Sequence, residues 1–258
     1  MNVLAIGAHP DDIELGCAGA LLRHVAAGDS VTFLVMTTGE RGPQDSVSRV
    51  LEQEAAAARI GADLIWGGFP DGAIPHSRET VTFIDSVIAA TGADVLYTHG
   101  QHDSHQDHVS TALCSLSAAR RLNRVLCYQS PSATAFNPVV YVDVEESIDD
   151  KIGALSCHRS QVERCELVDL EAVEAGARFW GHQARMRFAE AFEVPRFVWD
   201  ITRGAAAVRR VEHPAAAAAG AAVSQVDDAV ATAAAGVPAA QTSPADTTPV
   251  FLVGGTRR

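Results

Sequence analysis

Val3-Leu-Ala-Ile-Gly-Ala-His-Pro-Asp-Asp-Ile-Glu14 is an apolar run that stops abruptly in residues of the metal-ligand type. The segment Asn2 to Ala8 carries no charge and is bounded by Pro10, the pattern of a central parallel strand covered on both faces. In open α/β sheets ligands bind beyond the carboxyl ends of strands, which is where His9, Asp11, Asp12 and Glu14 fall. Leu15 to Ala27 reads as a helix closed by Gly28, so the cluster sits in the first strand-to-helix connection. His9 and Asp12 can converge on one cation if the loop turns tightly, and Pro10 favours that by fixing its own φ. Asp11 must then point elsewhere. A carboxylate held beside a metal but not on it is what a general base for an activated water requires. The plainer alternative is that the acidic pair caps the following helix by accepting its free N–H groups.

A second cluster, Thr98-His-Gly-Gln-His-Asp-Ser-His-Gln-Asp-His108, places four histidines and two aspartates in one loop after the strand Asp94 to Tyr97. His105 and His108 stand at the start of a helix whose apolar positions Val109, Ala112, Leu113 and Leu116 follow helical spacing. Such a loop alone could be a solvated surface segment. Two ligand-rich loops, each after a strand, point instead to a shared metal site.

These residues resemble the LmbE-like or PIG-L-like zinc de-N-acetylases, which remove acetyl groups from N-acetylglucosamine-containing conjugates. The matching motifs are Ala8 to Asp12 with Glu14, then His105-Gln-Asp-His108. Thr38-Gly-Glu40, Arg49 with Glu54, Asp71-Gly72, His158-Arg-Ser-Gln161 and Ala189-Glu-Ala-Phe192 extend the likeness to about Phe192. The resemblance implies an LmbE-like fold, with His9, Asp12 and His108 as metal ligands and Asp11 as general base. It also implies that His105, oriented by Asp107, is the electrophilic or acid partner, and that Arg49 and Asp71 contact the sugar. Glu40 and Asp103 join them as candidate substrate contacts. Asp103 stands where some members place a tyrosine that reaches the reacting carbonyl, so that role is not carried over.

At 258 residues and 47% hydrophobic content the chain can bury one sizeable α/β core. The net charge of −12 argues against nucleic-acid and membrane-surface partners. A small N-acetylated amino-sugar conjugate is the expected partner, with a homo-oligomer left open. Cys17, Cys114, Cys127, Cys157 and Cys165 are odd in number and lack Cys-x-x-Cys spacing, which fits reduced, buried thiols rather than disulfides or a thiolate site. The chain enters its first strand without a basic, then apolar leader, and no run reaches membrane-spanning length, so a cytoplasmic protein is expected.

Strand and helix alternate through the middle of the chain: strand Val31 to Thr37, helix Val47 to Ile60 capped by Ser46, strand Leu64 to Phe69, turn Pro70 to Gly72, helix Thr80 to Thr91. By position alone Arg49 is either a solvated face residue or a substrate contact, and Asp71 holds either a hydroxyl or its own backbone. Arg124 to Gln129 is a further strand, Pro131 to Pro138 a candidate pocket rim, and Val139 to Val144 a candidate edge strand. Helices over Ile148 to Cys157 and Leu170 to His182 follow, then Phe188 to Phe192 as strand or turn against the sheet. His158 reads as a structural histidine. The alternation implies a Rossmann-like, mostly parallel sheet with helices on both faces. No Gly-x-Gly-x-x-Gly follows the first strand, which disfavours a dinucleotide. Residues 1–203 are expected to form the catalytic domain, and 204–258, rich in alanine and proline, a low-complexity extension.

Amide hydrolysis needs both a better electrophile and a better nucleophile than neutral water and an acetamide provide, and a divalent cation supplies both. Two histidines and one carboxylate suit Zn²⁺, with Fe²⁺ also compatible. Asp11 would take the water proton, and His105 would stabilise the oxyanion and protonate the departing amine, with Asp107 keeping it protonated longer. The competing readings are a metal-dependent amidase or phosphoesterase on another small molecule, and a non-catalytic, metal-stabilised sugar-binding protein. A closed structural site would need neither Asp11 nor His105.

Overall fold

The computed structural model describes residues 1–42, 46–164 and 168–199. The proposed extension 204–258, and Cys165, lie outside the described residues. Seven strands, β1 (Asn2–Gly7), β2 (Ser30–Val35), β3 (Asp63–Trp66), β4 (Val95–His99), β5 (Arg124–Tyr128), β6 (Val140–Asp143) and β7 (Ala189–Phe197), form one sheet in the order β3-β2-β1-β4-β5-β7-β6. β1 to β5 are mutually parallel, whereas β7 runs antiparallel to both β5 and β6. The mostly parallel α/β expectation therefore holds, and Val139 to Val144 does supply the edge. Of the strand and turn readings for Phe188 to Phe192, the strand holds, and it lies within the sheet. Ala189 opens β7, a strand inserted one place in from that edge.

The helices are α1 (Asp12–Ala26), α2 (Ser46–Ile60), α3 (Arg78–Thr91), α4 (Gln106–Ala118), α5 (Ile148–Leu155) and α6 (Leu170–Ala184). Period-two alternation sorts the strand residues between two cores. Val3, Ala5, Phe33 and Tyr97 face α1, α2 and α5 through Ile13, Cys17, Leu21, Ala57 and Ala154. Leu4, Ile6, Leu34 and Leu96 face α3 and α4 through Ile84, Val87, Cys114 and Ala118. Because α1 leaves β1 to one face and α4 leaves β4 to the other, the crevice between these neighbouring strands opens at their carboxyl ends. This is the switch point where open α/β sheets bind ligands. Both ligand-rich loops end there.

Several boundaries differ from expectation. α1 begins at Asp12, three residues earlier than the apolar spacing suggested, so Asp12 and Glu14 lie in its first turn. α5 ends at Leu155, before Cys157. Cys17, Cys114, Cys127 and Cys157 are all free thiols, the first three buried. Among the described residues no helix is long and apolar enough to cross a membrane.

Candidate metal centre and active site

The β1–α1 connection is a tight turn built on one unusual backbone angle. Asp11 sits in the left-handed region at φ 92°, ψ −24°, and its side chain caps nothing. The helix-cap alternative therefore fails for Asp11. Asp12 folds back instead, its Oδ2 accepting the His9 N–H at 2.7 Å and lying 3.3 Å from His9 Nδ1. Its other oxygen lies 3.3 Å from His108 Nε2, across the crevice. Donors bound to one tetrahedral cation at about 2.1 Å stand about 3.4 Å from one another. The Asp12–His9 and Asp12–His108 separations are each close to that spacing, one from each oxygen of Asp12.

More donors surround this trio. His9 Nε2 is buried without a directional hydrogen bond, 3.1 Å from Asp71 Oδ1 and 3.4 Å from Asp107 Oδ2. The side chains of His9, His105 and His108 bring nitrogens within 4.8 Å of one another, as do the donors of Asp12, His99 and His108. His99 is the residue that sequence reasoning missed, although it stands in the quoted loop. Its Nε2 accepts the Ala8 N–H at 3.1 Å, so the lone pair a metal would need is already used. His99 also stacks on His108 at 4.2 Å between ring centroids. It fixes the ring plane of its neighbour.

The charges favour a cation. Burial pulls the His9 imidazole down, yet pairing with Asp107, Asp12 and Asp71 outweighs it and carries its pKa up to about 12. His108 is likewise lowered by burial but raised by Asp12 and Asp103, to about 9. Asp12 is held well below the usual carboxylate range, because His108 and His99 more than offset its burial. Clustered carboxylates that make the neighbouring imidazoles hold protons this tightly also suit a divalent metal, and the donor set of two imidazoles and one carboxylate fits zinc or iron.

Asp11 is different. Burial, then the charge of Asp12, pushes its carboxyl up to about 6 against the opposing pull of His158 and Arg49. It faces Arg49, whose Nη2 is 3.5 Å from Oδ2, rather than the trio.

Several candidate substrate contacts turn out to be engaged within the protein. Arg49 is buried, donating to the Pro10 carbonyl at 2.7 Å. Asp71 Oδ2 accepts the Arg41 N–H at 2.8 Å, and Glu40 accepts the Asp71 N–H at 2.7 Å. Asp103 pairs with His108 Nδ1 at 3.0 Å and accepts hydroxyls of Ser130 and Ser132. It therefore orients an imidazole. Ser130 borders, and Ser132 belongs to, the Pro131 to Pro138 connection, which is thus tied to the histidine loop. The expected orientation of His105 by Asp107 is corrected. The Asp107 carboxylate accepts N–H groups of Gly72 at 2.6 Å and Ile74 at 3.1 Å, and only its backbone N–H reaches His105 Nδ1, at 3.2 Å. His105 is not held protonated either, since burial and then His108 and His9 lower its pKa.

Comparison with known proteins bears on this arrangement. The family model described as GlcNAc-PI de-N-acetylase (PIG-L) matches residues 4–119. A protein of Escherichia coli named uncharacterized deacetylase YaiS is 34% identical over 168 residues, covering 62% of this chain and 91% of that protein. The chain belongs to the PIG-L family. Another relative, the diacetylchitobiose deacetylase of Thermococcus kodakarensis, is 25% identical over 186 residues, covering 62% of this chain and 70% of that protein. The crystal structure of the conserved protein TT1542 from Thermus thermophilus superposes with a TM-score of 0.71 at 27% identity, over 80% of this chain and all of the other. The PIG-L match contains both ligand-rich loops, together with Arg49, Asp71 and His99. β5, β6, α5, α6 and β7 lie beyond it.

Proposed function

We propose that this PIG-L family member is a metal-dependent hydrolase that removes the N-acetyl group from an N-acetylglucosamine-containing small-molecule conjugate. His9, Asp12 and His108 would hold the cation, zinc being favoured and iron also accepted by this donor set. When bound, such a cation polarises the acetyl oxygen and acidifies water. The observation that carries the reading is Asp11: a buried carboxylate next to Asp12 that faces Arg49, with a raised proton affinity suited to exchanging protons near neutrality.

The residues then divide the work. Asp11 takes the proton of the attacking water as the C–O bond forms. Because His105 Nδ1 accepts the Asp107 N–H, the ring's proton sits on Nε2, from which neutral His105 donates a hydrogen bond to the developing oxyanion. A neutral imidazole of lowered pKa is a poor source of a full proton. Asp11 therefore returns its proton to the amine nitrogen as the C–N bond breaks, leaving a free amine and acetic acid, which loses its proton to solvent as acetate. Asp107 and Asp71 fix His9, and Asp103 fixes His108.

The family and the substrate named for the Thermococcus relative support an amino-sugar acetamide as the target class. The test is acetate release from a panel of N-acetylglucosamine conjugates, including diacetylchitobiose, by zinc-loaded protein. Release from none of them, with N-acetylated non-sugar amides cleaved instead, would refute the sugar specificity. Inactivity on every acetamide would refute the hydrolase.

A further inference from the structure

Asp11 and Arg185 are the non-glycine residues with positive φ among those described. Arg185 closes the carboxyl end of α6, where a left-handed residue is common. Asp11 opens a helix, where it is not. An L-residue with a Cβ is strained there, so something must hold it.

The Pro10–Asp11 peptide is gripped at both ends from one helix. Its carbonyl oxygen accepts Arg49 Nη2 at 2.7 Å, and its N–H donates to Gln53 Oε1 at 3.1 Å. Arg49 and Gln53 are four residues apart on α2, hence on one face. The orientation of the Gln53 amide is itself fixed. Its Nε2 donates at 2.6 Å to Glu14, a carboxylate with no exposure, which leaves Oε1 to face Asp11. Gln53 has no exposure either. Its side-chain hydrogen bonds go to Asp11 and Glu14 and to none of the metal-type trio.

We infer that Gln53 is a positioning residue: with Arg49 it locks the Pro10–Asp11 peptide, so that Asp11 stays left-handed and its carboxylate is aimed away from Asp12. This rests on the proposed role of Asp11 as the proton acceptor. A merely structural Gln53 would tie α2 to α1 without controlling the angle at residue 11.

Two measurements separate these. Gln53→Met keeps the length of the side chain and removes both hydrogen bonds. With Gln53 present, Asp11→Gly should melt roughly 2–4 °C above Asp11→Ala, because glycine relieves the strain of a positive φ. In the Gln53→Met background that gap should close or reverse, since the peptide is free to relax. An undiminished gap overturns the proposal. In the second measurement, zinc-loaded Gln53→Met should bind as much metal as the parent and lose roughly 10–100-fold in kcat on an N-acetylated sugar, with KM within about two-fold. Unchanged kcat, or a loss confined to KM, also overturns it. Should the parent release no acetate, the functional reading falls while the melting order still decides the positioning. If Gln53→Met does not fold, Gln53→Asn, which keeps the amide but is one methylene short, replaces it in both measurements.

Discussion

Asp103 lies with one carboxylate oxygen 3.0 Å from His108 Nδ1, on the side of the ring opposite the nitrogen that faces Asp12. A carboxylate in that place fixes the tautomer and plane of a ligating imidazole, and removing such a partner typically weakens metal binding about 10–100-fold. Asp103→Ala should therefore lower metal affinity in a chelator competition while leaving KM nearly unchanged. A raised KM with intact metal affinity would return Asp103 to the substrate.

The adjacent aspartates should separate cleanly. Asp12→Ala should lose metal, with excess metal restoring part of the remaining activity. Asp11→Asn should retain metal, yet its rate should drop by roughly 10²–10⁴, the usual worth of a positioned proton-transfer group. Metal analysis of the two purified variants checks the assignment, and the reverse pattern would swap the roles.

A carboxyl whose folded pKa is raised to about 6 destabilises the fold where it is charged, so the penalty is complete above that pH and absent below its unfolded value near 3.8. In chelator-treated protein Asp11→Asn should accordingly raise Tm at about pH 8. The gain should shrink as pH falls through about 6. A gain independent of pH would mean that charge is not its source.

Lys151 and Glu190, each 4% exposed at the side chain, form a buried pair that ties α5 and β7 to the middle of α1. Glu190 accepts the N–H groups of Gly19 at 2.9 Å and Ala20 at 2.7 Å, and Lys151 donates to the Leu15 carbonyl at 2.8 Å. Lys151→Met would leave an uncompensated buried carboxylate and should cost about 3–5 kcal/mol in urea unfolding. Adding Glu190→Gln should recover part of that loss. Two independent, additive penalties would show that the pair is not coupled.

We expect the segment after Arg203 to be dispensable for chemistry, since its alanine-rich, proline-containing composition offers little apolar surface with which to build a pocket wall. Protein ending at Arg203 should keep its metal and activity within a few-fold. A folded, metal-loaded but inactive truncation would make the extension part of the site.

The layered α/β architecture and the position of the site were legible in the sequence because both rest on local pattern. Uncharged apolar runs such as Asn2 to Ala8 mark strands buried on both faces, and ligand-type residues directly after them mark the functional end of the sheet. Which carboxylate serves which imidazole was not legible. Asp103, Asp107 and Asp71 are chemically alike, and their parts were decided by backbone N–H groups and hydroxyls brought from distant loops: Gly72 and Ile74 to Asp107, Arg41 to Asp71, Ser130 and Ser132 to Asp103. The same holds for β7, whose antiparallel insertion between β5 and β6 depends on pairing with strands remote in the chain. Sequence alone determined that His9, Asp11 and Asp12 share one turn. Only the tertiary structure placed Asp11 facing Arg49 while Asp12 faces the histidines, because the hydrogen bonds of Arg49 and Gln53 to the Pro10–Asp11 peptide come from a helix remote in the chain.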